Sequence, residues 1–210
     1  MDKKSLLLYA ITDSRWLKEK TLAEQTEEVL RSGATFLQLR EKDADDETLK
    51  EEALALKAVA AKYHVPFVLD DNVRVAKAVD ADGVHVGQSD MAYEEAREIL
   101  GPDKIIGISA GNLEEAVAAE KAGADYIGVG AMFNTDTKAV DGTVPFEVLK
   151  EIVDTVSIPV VAIGGINPEN ARELAGMGLD GICVISAIYG SEDPAAATRA
   201  LRAAAEDVVK

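Results

Sequence analysis

Short runs rich in β-branched residues alternate with longer helical segments eight times along the chain. This alternation is typical of βα units around a parallel sheet. Because eight units in 210 residues match the size of a TIM barrel, the sequence predicts an α/β fold, a single (β/α)8 barrel spanning residues 1–210. Its predicted strands are 6–12, 35–40, 66–70, 82–86, 105–108, 125–130, 158–163 and 180–185. Its predicted helices are 21–31, 46–63, 73–79, 92–100, 112–122, 145–154, 168–176 and 194–208.

Glycines lie where several predicted helices end, at Gly33, Gly123 and Gly178, the place of a left-handed helix cap. A related phrase recurs before the even-numbered strands, at 33–37, 81–85, 123–127 and 178–182. This weak internal repeat favours a barrel. A doubly wound open sheet is the alternative, but it predicts a glycine-rich dinucleotide turn after the first strand, where residues 12–15 carry none.

The charge and hydrophobicity of the chain exclude several classes of partner. A net charge of −16 with only two histidines disfavours nucleic acid. No apolar run approaches the roughly 20 residues that span a bilayer, and the first apolar run, 6–11, is too short for a signal sequence. The sequence therefore predicts a soluble, cytoplasmic protein without a membrane partner. The single cysteine, Cys183, lies in an apolar run and is expected in the core.

Polar residues at the carboxyl ends of the strands are the candidates for chemistry, because the active sites of these barrels lie there. Strand alternation places Gln38, Arg40 and Lys42 on the side that faces the barrel mouth, whereas Leu39 points towards the helices. Arginine and lysine suit phosphate oxygens, although either one could instead pair with Glu41 or Asp43. Both interpretations are open.

Carboxylates follow the next two strands, Asp70 and Asp71 after the third and Asp90 after the fourth. Hard oxygen donors close together, with a phosphate to share, suit magnesium, so Asp71 and Asp90 are the predicted metal pair. The alternative is that Asp70 and Asp90 cap the helices that follow.

The remaining strand ends offer hydroxyls and glycines. Ser109 follows the fifth strand as a phosphate donor, with Asn112 as a helix cap. The polar segment 131–142 either closes over a substrate or is an ordinary surface loop. Gly164 and Gly165 follow the seventh strand, where barrels often bind phosphate. His85 is expected inside the barrel as a core residue, and no Ser-His-Asp order, zinc spacing or P-loop is present.

Taken in order, five motifs resemble the thiamin phosphate synthase family across nearly the whole chain. They are Tyr9-Ala10-Ile11-Thr12-Asp13, Gln38-Leu39-Arg40-Glu41-Lys42, Gly83-Val84-His85-Val86-Gly87-Gln88-Ser89-Asp90, Thr135-Asp136-Thr137-Lys138 and Val161-Ala162-Ile163-Gly164-Gly165-Ile166.

The resemblance implies a transferase that joins an aminopyrimidine diphosphate to a thiazole phosphate and releases pyrophosphate, with Mg2+ as cofactor and a homo-oligomeric assembly. It implies that Arg40, Ser109 and Lys138 are catalytic and that Asp71 and Asp90 bind the metal. The implied substrate-binding residues are Gln38, Leu39, Arg40, Glu41, Lys42, Asp70, Ser109, Thr135, Asp136, Thr137, Lys138, Gly165, Ile185 and Ser186.

Two positions depart from the family pattern. Asp70 stands where the family usually has asparagine, and its negative charge near a diphosphate is expected to weaken substrate binding. Gly111 stands where the family usually has histidine. A thiazole tautomerase on the same fold relies, by resemblance, on a histidine near that position, so its absence argues against that activity. A catalytically silent barrel that binds thiamin precursors is the other alternative.

Overall fold

Eight parallel strands close a barrel in chain order in the computed structural model, which describes residues 1–135, 137 and 142–210. The first and last strands pair in parallel, with Ala10 beside Val184, and this closes the ring. The predicted (β/α)8 fold is therefore confirmed. The strands are β1 Leu8–Ile11, β2 Phe36–Leu39, β3 Phe67–Asp70, β4 Gly83–Val86, β5 Ile105–Ala110, β6 Tyr126–Val129, β7 Val160–Ile163 and β8 Gly181–Val184.

Helices surround the barrel, and several begin at a side chain that caps them. Thr21 and Glu24 form a reciprocal capping box at the start of the first helix. Asn112 caps the fifth, as predicted. The helices are α1 Leu22–Arg31, α2 Asp46–Tyr63, α3 Val73–Ala78, α4 Tyr93–Leu100, α5 Leu113–Ala122, α6 Phe146–Thr155, α7 Ser186–Tyr189 and α8 Pro194–Val208, with 3-10 turns at Lys3–Leu6, Ser14–Trp16 and Ala171–Leu174. Among the residues described, no helix is long and apolar enough to cross a membrane.

The predicted helix over 168–176 is wrong, because this segment contains only the 3-10 turn Ala171–Leu174. The Asn167 side chain accepts hydrogen bonds from the backbone N–H groups of Glu169 and Asn170, which turns the chain tightly. Gly176 then takes a left-handed conformation, with φ of +79°. Gly33 and Gly123 are left-handed at helix ends as predicted, whereas Gly178 is left-handed within a loop.

Two further boundaries differ from the sequence prediction. Leu6, predicted in the first strand, ends the 3-10 turn Lys3–Leu6, which the Asp2 side chain caps. The short helix α7 directly after β8 was not predicted.

The side chains inside the barrel form a core separate from the layer between strands and helices. The inner core consists of Leu6, Tyr9, Ile11, Phe36, Val68, Tyr126, Val161 and Cys183. Cys183 is buried there, as its apolar surroundings in the sequence predict. These side chains fill the barrel and form the floor of any site at its mouth.

Gly107 in β5 leaves room for the ring of Tyr126, since a Cβ atom there would lie 2.1 Å from Cζ of Tyr126. We expect Gly107→Ala to lower the free energy of unfolding by about 1–3 kcal/mol, as overpacking does in other cores. Urea denaturation measures this change. Gly111→Ala is the control, because its Cβ would meet only Glu115 Oε2 at 3.5 Å. Equal stability of the two variants would contradict the packing described.

Candidate active site

A cavity opens at the carboxyl ends of the strands and encloses about 970 Å3 of empty space, including the part open to solvent. Its polar lining residues come from two groups of strands, β2–β5 and β6–β8, and most of its apolar lining residues come from β1, β7 and β8. Its lining residues are Tyr9, Ile11, Gln38, Arg40, Lys42, Asp70, His85, Ser109, Gly128, Gly130, Ala131, Thr135, Thr137, Val161, Ile163, Gly164, Gly165, Ile166, Cys183, Val184, Ile185 and Ser186. The cavity therefore lies at the carboxyl ends of the strands, where barrel enzymes have their active sites.

The end of β2 supplies positive charge to the cavity. Arg40 lies with its Nε 3.7 Å from the Asp70 carboxylate, and Lys42 lies 3.0 Å from the same group and also pairs with Asp71. Burial alone would lower the pKa of the Lys42 ammonium, but Asp71 and Asp70 raise it above its usual value. The pairs that form among the described residues are thus with Asp70 and Asp71, not with Glu41 or Asp43.

Two residues of the same motif do not face the cavity. Leu39 is fully buried between the barrel and the helices, so a substrate-binding role for its side chain is wrong. Strand alternation points it outwards. The Glu41 carboxylate accepts hydrogen bonds from the backbone N–H and the hydroxyl of Ser14, and it does not line the cavity. Glu41 therefore holds the turn Ser14–Trp16 against β2, and we find no substrate-facing position for it.

The predicted metal pair lies together at the ends of β3 and β4. The carboxyl groups of Asp71 and Asp90 interact, since Asp90 contributes to the shift in the pKa of Asp71. Burial, the neighbouring Asp70 and the contact with Asp90 raise the pKa of Asp71 to about 6, against the opposing effect of Lys42. Asp71 has a left-handed backbone, with φ of +57°, and its N–H donates to the carbonyl of His85. Asp70, Asp71 and Asp90 therefore place three carboxyl groups at one edge, beside the two cations Arg40 and Lys42.

The alternative interpretation, that Asp70 and Asp90 cap helices, is wrong for both residues. Asn72 is the residue whose side chain caps α3. The Asp90 carboxylate accepts the backbone N–H of Gly87 and so closes the turn after β4, while α4 begins at Tyr93, after the N-cap residue Ala92, without a side-chain cap. Neither carboxylate is therefore accounted for by a helix start.

The donor set fits magnesium better than a metal that requires a full protein cage. In the part of the chain that the structure describes, no group of three or more His, Cys, Asp or Glu side chains is arranged to hold a metal. Magnesium commonly takes one or two carboxylates and completes its coordination with water and substrate phosphate. Asp71 and Asp90 supply such a pair of oxygen donors.

The opposite end of the cavity is built from backbone and hydroxyl groups. Gly165 follows β7 with φ of +66°, and a Cβ atom there would lie 2.4 Å from the carbonyl oxygen of Asn134. The loops after β6 and β7 therefore approach backbone to backbone, which only glycine permits. Thr135, Thr137, Ile185 and Ser186 line the same end. The predicted residues Asp136 and Lys138 lie outside the described residues.

Several residues of the site were not predicted from the sequence. Arg15 and Trp16 line a second opening beside Thr135 and Ser186, on the 3-10 turn after β1. Tyr9 and Tyr126 lie under the cavity and hydrogen-bond to Gln38 and His85. The period-2 alternation that placed Gln38 inside was the signal available for both tyrosines. His85 lies inside the barrel as predicted, and His64 is the left-handed C-cap of α2.

The family model described as thiamine monophosphate synthase matches residues 8–188. Thiamine-phosphate synthase from Clostridium novyi is 49% identical over 195 residues, covering 92% of this chain and 96% of that protein. The protein of the same name from Methanobrevibacter smithii is 48% identical over 201 residues, covering 96% of each. The solved structure of thiamine phosphate pyrophosphorylase from Pyrococcus furiosus superposes with a TM-score of 0.90, at 47% identity over 99% of both chains. With this similarity over nearly its full length, the chain belongs to the thiamine monophosphate synthase family.

Proposed function

We propose that this chain joins 4-amino-2-methyl-5-hydroxymethylpyrimidine diphosphate to 4-methyl-5-(hydroxyethyl)thiazole phosphate, giving thiamine phosphate and pyrophosphate. The single observation that carries the proposal is one strand-end cavity that has cations at the end of β2 and hydroxyl and backbone groups at the loops after β6, β7 and β8. Two phosphorylated ring compounds can enter such a cavity with their charged groups apart and their rings in contact. The names of the relatives support the same reaction.

The pyrimidine diphosphate is assigned to the end formed by β2, β3, β4 and β5. Arg40 and Lys42 would bind its phosphate oxygens, while Gln38 and Ser109 would contact the ring. Lys138, by family resemblance, would bind the leaving group. Asp71 and Asp90 would hold Mg2+, which supplies charge neutralisation for a departing pyrophosphate when it is bound.

The thiazole phosphate is assigned to the end formed by the loops after β6, β7 and β8. The backbone of Gly165 and of Ile185 to Ser186 would surround the phosphate, because glycine at position 165 lets the loops after β6 and β7 pack backbone to backbone at this end of the cavity. Thr135 and Thr137 place hydroxyl groups at the same end. Asp136, by family resemblance, belongs to this loop.

The reaction then needs electrostatic stabilisation more than a strong base. The C–O bond between the pyrimidine methylene and the diphosphate breaks, and the electron pair stays on the departing pyrophosphate oxygen, whose negative charge Arg40, Lys42 and Lys138 would stabilise. The thiazole nitrogen donates its lone pair to the methylene cation and forms the new C–N bond. Apolar walls such as Ile11, Val161 and Ile163 exclude water, which would otherwise capture the cation.

An assay with both substrates tests the proposal against the silent-barrel alternative. Purified protein with both substrates and Mg2+ should release pyrophosphate and form thiamine phosphate, and omission of either substrate should abolish product formation. Binding of both compounds without product would contradict the synthase proposal.

We expect Asp70→Asn to lower the KM for the pyrimidine diphosphate by about fivefold, equivalent to roughly 1 kcal/mol. The Asp70 side chain is only 13% exposed, and its carboxylate forms ion pairs with Arg40 and Lys42. In Asp70→Asn these two cations lose that partner, so both can bind the phosphate of the substrate. Steady-state kinetics with each substrate varied in turn measures the effect. The KM for thiazole phosphate should not change, and an unchanged pyrimidine KM would mean that Asp70 does not compete with substrate.

The same change should alter the pH dependence of the magnesium requirement. Asp70 raises the pKa of Asp71, and Asp71 binds metal only when ionised, so magnesium affinity should fall as the pH drops through about 6. In Asp70→Asn this loss should move to lower pH, which magnesium titrations of activity at several pH values measure. Coincident profiles for the two proteins would contradict the assignment of Asp71.

Two broader expectations accompany the proposed function. The reaction is proposed to take place in the cytoplasm, which stays a prediction from the sequence. A homo-oligomeric assembly stays a prediction from the family resemblance.

A further inference from the structure

Five polar side chains form one continuous run of hydrogen bonds across the barrel beneath the cavity, which we call the interior relay. Gln38 Nε2 donates to the Tyr9 hydroxyl at 2.7 Å, and the hydroxyls of Tyr9 and Tyr126 are 2.8 Å apart. The Tyr126 hydroxyl lies 3.0 Å from His85 Nδ1, and His85 Nε2 lies 3.0 Å from Ser109 Oγ. The relay therefore joins two residues assigned to the pyrimidine ring through three residues that the proposed reaction leaves without a role.

Packing fixes the middle of the interior relay. Tyr126 is fully buried and Tyr9 is 1% exposed, and both rings pack edge-on against Phe36. Gly107 provides the space that the Tyr126 ring occupies. Burial raises the pKa of both tyrosines well above the usual value, so each hydroxyl keeps its hydrogen. Each tyrosine therefore has one hydrogen to donate within the relay.

The direction of the interior relay follows from its first donor. Since Gln38 donates to Tyr9, the hydrogen of Tyr9 is available for Tyr126, and the hydrogen of Tyr126 is then available for His85 Nδ1. A neutral imidazole that accepts at Nδ1 carries its hydrogen at Nε2. His85 Nε2 then donates to Ser109 Oγ, and the hydroxyl hydrogen of Ser109 is left to point into the cavity.

We propose that Tyr126 is a positioning residue that, through the tautomer of His85, makes Ser109 a hydrogen-bond donor towards the substrate ring. The proposal rests on the proposed function and deepens it, because a donor at Ser109 selects a ring nitrogen with a lone pair. A ring that presents an N–H at that place would leave the hydroxyl hydrogen of Ser109 without an acceptor, because His85 Nε2 already donates to the same oxygen. The relay thereby discriminates an aminopyrimidine from ring tautomers or analogues with the opposite hydrogen-bonding pattern.

Nitrogen NMR of the histidine rings tests the direction of the relay without reference to activity. The chain has two histidines, and His64→Gln identifies the signals of His85. In the protein with 15N-labelled histidine at pH 8, the proposal requires His85 to be protonated at Nε2 and unprotonated at Nδ1. Tyr126→Phe removes the donor to Nδ1 and should populate the other tautomer. A wild-type His85 protonated at Nδ1, or a tautomer unchanged in Tyr126→Phe, overturns the proposal.

Steady-state kinetics of Tyr126→Phe test whether the interior relay affects binding and reaction of the pyrimidine diphosphate. Tyr126→Phe should lower kcat/KM for the pyrimidine diphosphate about tenfold, the scale of one hydrogen bond, and leave the KM for thiazole phosphate unchanged. Tyr189→Phe is the matched control, because it removes another buried tyrosine hydroxyl, bonded to Thr26 outside the cavity. An equal loss in both variants, or no loss in Tyr126→Phe, overturns the proposal. If the wild-type protein makes no thiamine phosphate at all, the proposed function fails, while the NMR result still decides the relay.

Discussion

Asp71→Asn is expected to lower turnover by about 100-fold, equivalent to roughly 2.7 kcal/mol of transition-state stabilisation. The change removes the negative charge with which Asp71 would hold Mg2+ beside Asp90, while keeping the size of the side chain. Asparagine tolerates the left-handed backbone that position 71 adopts, so the fold of the turn should be retained. Initial rates at several magnesium concentrations measure the loss.

The adjacent residue provides the control for Asp71→Asn. Asp70→Asn is the same chemical change one residue earlier, and we expect it to tighten pyrimidine diphosphate binding instead. Slower turnover in Asp71→Asn together with tighter substrate binding in Asp70→Asn would show that Asp71 is a metal ligand and that Asp70 competes with substrate for Arg40 and Lys42. If the two variants behave alike, the magnesium assignment at Asp71 is wrong.

Gly165→Ala is expected to raise the KM for thiazole phosphate by about 100-fold. Its Cβ would lie 2.4 Å from the carbonyl oxygen of Asn134, and the backbone has φ of +66°, so the loop after β7 must move. The predicted phosphate contacts depend on that backbone, and a displacement of about 1 Å can cost on this scale. Steady-state kinetics with thiazole phosphate varied measures the change.

Gly176→Ala controls for backbone strain alone. Gly176 has φ of +79°, but a Cβ there has no neighbour within 4 Å among the described residues. The KM of Gly176→Ala for thiazole phosphate should stay at the wild-type value, even if the free energy of unfolding of this variant falls. A similar rise in KM in both variants would show that strain, rather than the phosphate site, explains the effect.

The barrel was predictable because each strand and most helices carry their own local pattern. Apolar β-branched runs of four to six residues and capped helices such as α1 and α5 form for reasons present within each segment. The helix over 168–176 fails because Asn167 turns the chain with its own side chain, and this local competition has no periodic signature.

The sequence was enough to predict which strand ends carry the site, but not which side chains form ion pairs and hydrogen bonds with each other there. Alternation placed Gln38, Arg40 and Lys42 at the mouth, yet only the folded barrel shows that the two cations pair with Asp70 and Asp71 across β2 and β3. Leu39 was included by motif although alternation points it outwards, and the structure follows the alternation. The link between Tyr126 and His85 spans 41 residues of sequence, so no local pattern could reveal it.

The central claim is that one cavity, with cations at one end and backbone and hydroxyl groups at the other, couples two phosphorylated rings. The most direct measurement is a 31P NMR time course on a sample containing the protein, both substrates and Mg2+. The account predicts that the signals of both substrates decline together while pyrophosphate and thiamine phosphate appear in equal amounts. Pyrophosphate appearing without thiamine phosphate, or both substrates remaining intact while bound, would contradict it.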